Sequence, residues 1–137
     1  MKLPSSLEMV AKAPMCFTKT GTYDEVVALL VGFNLASDNG FLVGFEEWLT
    51  VELDGWDSQA WTARVLKVAV MRGTLPTVEV GDVEWHKAAI RSLFEILDDF
   101  LSVRGSRFGL RRIFVNYEKW ARQQSWYRGS EDESLWL

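Results

Sequence analysis

A mainly α-helical single domain of about five helices is what this chain predicts, on three observations. Apolar residues recur at i, i+3, i+4 and i+7 in several stretches, most clearly from Glu84 to Arg104. Start and stop signals bracket those stretches: Thr22 with Glu25, Asp82, Gly73 followed by Pro76, and Gly105. At 137 residues and 48% hydrophobic side chains, the chain suits one domain spanning 1–137 with a sizeable core. An α+β alternative, with a short strand or hairpin around 49–53 and 76–80, comes from the apolar–polar alternation of "LTVEL" and from "GTLPTVEVG".

Taken in order, the first helix follows Thr22. A threonine with glutamate three residues on can form a capping box, each side chain bonding the other residue's backbone N–H. Val26, Leu29, Leu30 and Phe33 then share a face, and Ser37-Asp38-Asn39-Gly40 stops the run. A second helix spans about Leu42 to Val51, with Leu42, Phe45, Trp48 and Leu49 on one face and Glu46 and Glu47 elsewhere. Asp57 is a candidate N-cap for the third, whose stripe is Trp61, Val65, Val68 and Ala69. Gly73 fits its C-terminal cap and Pro76 forbids continuation.

The fourth helix is the most regular. Asp82 caps it, and Ile90, Leu93, Phe94, Leu97 and Leu101 form its stripe. Gly105 ends it. The fifth runs from about Leu110 to Gln124, with Leu110, Ile113, Phe114, Tyr117 and Ala121 inward and the arginines outward. The acidic tail 129–137 is expected to be flexible unless Trp136 docks.

The charges are segregated along the chain. Between Lys19 and Arg64 there are eight acids and no lysine or arginine. From Arg104 to Arg128 seven basic residues face Glu118 alone. The folded molecule should therefore carry an electrostatic dipole unless the two segments pack together and pair. Net charge is −4, which argues against general binding to nucleic acid or anionic membranes.

Candidate chemistry is sparse. A single cysteine, Cys16, forms no internal disulfide and supports no cysteine-based zinc site. Among apolar neighbours it reads as a small buried hydrophobe. His86, the single histidine, reads as a surface or cap-adjacent residue, and any triad or Cys/His scheme would have to run through it. Glu46-Glu47 and Asp98-Asp99 are adjacent pairs whose members diverge on a helix, and no Glu-x-x-His motif is present, so no metal is expected. No glycine-rich phosphate loop occurs. The opening segment has no apolar run of a signal peptide and no stretch is long enough to span a membrane, so a cytoplasmic protein is expected.

"KAPMCFTKTGTYDEVVALLVGFNLA", "FLVGFEEWL" and "WDSQAWTARVLKVA" occur in that order. The arrangement resembles small bacterial immunity proteins of toxin systems, including contact-dependent growth inhibition. The matching positions are Pro14, Met15, Gly32, Phe33, Gly44, Phe45, Trp48, Leu49 and Trp61, and "YEKWARQQSWY" looks like the end of the same pattern. "MCF" departs from it, since the pattern more often has an aromatic residue after methionine. The resemblance implies a non-catalytic cytoplasmic protein, without cofactor, that binds and neutralises the C-terminal domain of a cognate toxin. Many such toxins are nucleases with basic surfaces. The expected partner is therefore a basic toxin domain, with neither nucleic acid nor membrane.

The contact residues follow from charge alone. Asp38, Glu46, Glu47, Glu52, Asp54 and Asp57 would face the basic partner, with Trp56 as an aromatic anchor. The alternative is a nucleic-acid-associated or regulatory module using Arg107, Arg111, Arg112, Lys119 and Arg122. An enzyme would need His86 or a carboxylate pair in a pocket.

Overall fold

Six α-helices and one 3-10 turn make up the regular structure of the computed structural model, which describes residues 3–56, 58–76 and 80–127. They are α1 (Ser5–Lys12), the turn Pro14–Cys16, α2 (Tyr23–Ala36), α3 (Phe45–Leu53), α4 (Trp61–Arg72), α5 (Val83–Arg104) and α6 (Gly109–Arg122). No strand occurs among the described residues. The α+β alternative fails at 49–53, which is the end of α3. Its other half rests on residues 77–79, which lie outside the described part, as does the tail 128–137.

The central helix is α5, whose 22 residues extend about 33 Å. Its predicted stripe of Ile90, Leu93, Phe94, Leu97 and Leu101 is buried, joined by Trp85, Ile96 and Phe100. Helices α1, α2, α4 and α6 pack against it, and α3 lies between α4 and α6. Phe45 of α3 reaches the same core, its ring 4.9 Å from Phe100 and 5.6 Å from Trp61. Trp48 stacks beside it at 6.1 Å.

Local signals account for most boundaries. The Thr22 hydroxyl accepts the Glu25 N–H at 3.3 Å, and the Glu25 carboxylate accepts the Thr22 N–H at 3.1 Å, completing the capping box. The same carboxylate accepts the backbone N–H groups of Lys19 and Thr20, both at 3.0 Å, and so organises the approach to α2. Asp82 accepts the Glu84 N–H at 3.1 Å and starts α5. Gly73 ends α4 in the left-handed conformation.

Four expectations are corrected. A sixth helix, α1, precedes the expected five. It lacks a side-chain N-cap, and only Leu3, Leu7 and Val10 of its segment enter the core, too short a run to register as periodic. The helix expected from Leu42 begins at Phe45, because Gly44 sits at φ 86°, outside helical space. The cap of α4 is Ala60 rather than Asp57, since residues 58–60 bend before the helix starts. Cys16 is exposed, because the 3-10 turn carrying it lies at the edge of the core.

Candidate functional site

The acidic segment folds onto α3 and its two flanking loops. Successive helical residues step by about 100°, so Glu46 and Glu47 occupy neighbouring sides of α3 and Glu52 lies roughly 120° from Glu46. Phe45, Trp48, Leu49 and Thr50 fill the directions between and are buried. The three glutamates therefore do not form one face. Glu46 and Glu52 are exposed and Glu47 is half-buried. Asp38 sits exposed in the loop before α3, at φ 54°. Asp54 caps the end of α3, and its Oδ1 accepts the indole N–H of Trp120 at 2.9 Å. Trp56 is 64% exposed. Asp57 lies outside the described residues. The fold thus strings the described groups along α3 and past both ends, on more than one side of the helix, as an acidic ribbon rather than a cleft.

The basic segment lies alongside. Helices α3 and α6 run parallel: Gly44 meets Leu110 and Ile113 at their starts, and Asp54 meets Trp120 near their ends. The two segments do pack together, yet they do not neutralise each other. Among the described residues, no ion pair involves Asp38, Glu46, Glu47 or Glu52. The reason is the rotation of α6. It buries Ile113, Trp120 and Ala121 against the core. Arg111, Val115, Lys119 and Arg112 fall within about 100° of arc on roughly the opposite side. All four are exposed. Arg122 pairs with Glu118 of its own helix at 3.2 Å. The Tyr127 hydroxyl donates to Glu118 at 2.7 Å, and that bond, with Arg122 beside it, holds the carboxyl below its usual range.

Two arginines are spent on structure. Arg104 donates to the carbonyls of Gly40, Phe41 and Val43 and lies 5.1 Å from the Phe100 ring, pinning the loop before α3 to the end of α5. Arg64, the first cation after Lys19, is 1% exposed. Its Nη2 donates to the Thr50 hydroxyl and, at 3.4 Å, to the Glu46 carbonyl, while its Nε has no partner. Among the described residues, no carboxylate pairs with it. Arg64 was legible in principle: it lies three residues after Trp61 and four before Val68, on the inward stripe of α4.

His86 has a definite role. Its Nδ1 accepts the Tyr23 N–H at 2.9 Å, so a side chain of α5 satisfies a free donor at the start of α2. The Tyr23 hydroxyl donates to the Thr62 carbonyl at 2.7 Å, and burial raises its pKa. His86 also lines a groove of about 790 Å³ between α1 and α5, floored by Ala11, Ile90 and Phe94. The rims of that groove carry opposite charges at i, i+4 spacing, Glu8 with Lys12 and Arg91 with Glu95, so they favour neither sign. No group of three His, Cys, Asp or Glu side chains able to hold a metal ion occurs among the described residues. No described helix is long and apolar enough to cross a membrane.

No family model, curated protein or solved structure matches the chain. Sequence reasoning also missed Phe108, expected as neither core nor surface. It is 60% exposed at φ 57°, held outside the fold by the turn between α5 and α6. The signal for it was Gly109, where a Cβ would lie 2.1 Å from the Val103 carbonyl oxygen, so this turn closes only around glycine.

Proposed function

We propose that the chain is an immunity protein that binds and neutralises a cognate bacterial toxin domain in the cytoplasm, through its acidic ribbon. One observation carries this reading. Asp38, Glu46 and Glu52 are exposed and, among the described residues, without an ion pair although the basic helix α6 packs against α3, and Trp56 stands exposed just beyond the end of α3. Stability alone does not call for several like charges without ion pairs on one short helix and the loop before it. A basic partner offers a reason for them, since carboxylates around an aromatic anchor steer a cationic surface and speed its association.

The mechanism is steric and electrostatic. Carboxylates of the ribbon take the place of substrate phosphates in the basic cleft of a nuclease-type toxin, and Trp56 fills an adjoining apolar depression. Asp54 contributes less than its sequence position suggests, because the Trp120 indole already engages it. The test is co-expression with a toxin C-terminal domain that this chain captures from a bacterial lysate. Growth rescue with a one-to-one complex, both lost on combined Asp38→Lys, Glu46→Lys and Glu52→Lys substitution, is the expected result. Rescue that survives the triple substitution would remove the ribbon from the account.

A further inference from the structure

The outward face of α6 belongs to a surface of its own, and nothing in the immunity reading uses it. A shallow groove of about 370 Å³ runs along it, lined by Phe108, Arg111, Arg112, Val115, Asn116 and Lys119. It contains three cations and no carboxylate. None of Arg107, Arg111, Arg112 or Lys119 has an ion pair among the described residues. At one end stands the exposed Phe108 ring, with the Arg107 guanidinium 5.1 Å from its centroid. A bulky residue in left-handed backbone is uncommon, and such strain collects at functional positions. Beyond the other end of α6, Trp126 is 57% exposed. The expectation that the aromatics of this segment serve the apolar stripe is thereby corrected. Trp120 is buried, whereas Phe108, Phe114 and Trp126 are exposed.

We infer that this face binds single-stranded nucleic acid. Non-specific single-strand sites combine a cationic track for the backbone with exposed rings on which bases stack. Here Arg111, Arg112 and Lys119 form the track, the Phe108 ring is the platform, and the Asn116 amide supplies a donor and an acceptor for a base edge. The groove is of a size to hold one nucleotide. An acidic peptide would use the cations and leave the ring face idle, which is why nucleic acid is favoured over an acidic protein. The net charge of −4 does not oppose this, because the charges are unevenly spread and the lining of this groove holds cations and no carboxylate.

The test is fluorescence anisotropy of a labelled oligothymidylate of about 15 nucleotides, titrated with the full chain at about 50 and 300 mM salt. Saturable binding at low salt that weakens roughly tenfold or more at high salt is expected. Combined Arg111→Glu, Arg112→Glu and Lys119→Glu substitution weakens it at least about tenfold, and Phe108→Ala about fivefold without changing the salt slope. Helical content by circular dichroism stays unchanged in both variants. Glu46→Lys leaves binding intact or strengthens it. The inference is overturned if no saturation occurs at low salt, or if the triple variant binds as well as the parent. It is also overturned if a polyglutamate peptide of equal length competes as effectively as unlabelled oligonucleotide, which would assign the face to an acidic protein segment or a second copy of this chain.

Discussion

Helices α3 and α6 carry the two charge blocks of the chain, and they use them in opposite ways. Helix α3 is enclosed by α4, α5 and α6, so its glutamates emerge wherever a gap between neighbours allows and point in different directions. Helix α6 lies at the rim with one side buried, so its cations collect on a single outward arc. Charge density along a sequence therefore does not translate directly into charge density in space. Helical period and the number of packed sides decide which charged segment becomes a coherent surface.

The comparison breaks most severely where α3 meets the core. Phe45 is fully buried and touches Trp48, Trp61 and Phe100, so Phe45→Ala is expected to cost about 4 kcal/mol in denaturant unfolding. Next comes Arg64. Arg64→Ala leaves a cavity and removes the donor to the Thr50 hydroxyl, which keeps its own bond to the Glu46 carbonyl, costing about 3 kcal/mol. Arg64→Met fills the space without a buried charge, and it is expected to cost less than about 1 kcal/mol or to stabilise. Equal losses in the two variants would mean that the guanidinium, rather than its volume, holds α4 against α3.

Smaller effects sharpen the contrast. Within the acidic stretch but away from α3, Thr22→Ala removes the α2 cap at a cost of about 1 kcal/mol. The Glu25 carboxylate is held down to about 2, chiefly by the Thr20 hydroxyl and then by the Thr22 N–H. A carboxyl lowered on folding stabilises the native state above its ordinary value near 4.5, and that contribution is lost as pH falls from there towards about 2. Glu25→Gln should therefore flatten the acid limb of a stability–pH profile between those limits and leave a smaller pH dependence. The smallest effect is on α6: the triple reversal of Arg111, Arg112 and Lys119 should change unfolding stability by no more than about 0.5 kcal/mol. A loss of several kcal/mol there would show these residues to be structural.

Much of this architecture was legible before any coordinates. Thr22 with Glu25, Asp82, and Gly73 with Pro76 set helix ends through chemistry contained in a few consecutive residues. The stripe of α5, Ile90 to Leu101, repeats over about three turns and its side chains are buried as expected. What escaped depends on neighbours distant in sequence. Cys16 looked apolar by context, yet the 3-10 turn leaves it outside. On α6, Leu110 and Phe114 share a helical wheel edge with Ile113, but only Ile113 is fully covered; Leu110 meets Gly44 at the rim and stays partly exposed, as does Phe114. The candidate site was half legible. Its composition was plain, whereas the scattering of Glu46, Glu47 and Glu52 around α3 and the diversion of Asp54 to Trp120 come from packing.

The most direct measurement is the affinity of a toxin domain captured by this chain for two variants in parallel, by titration calorimetry. One carries Asp38→Lys, Glu46→Lys and Glu52→Lys; the other carries the α6 triple reversal. The account predicts that the first loses toxin binding while the second retains it. Loss of binding in the α6 variant alone would contradict the assignment and transfer the toxin interface to the basic helix.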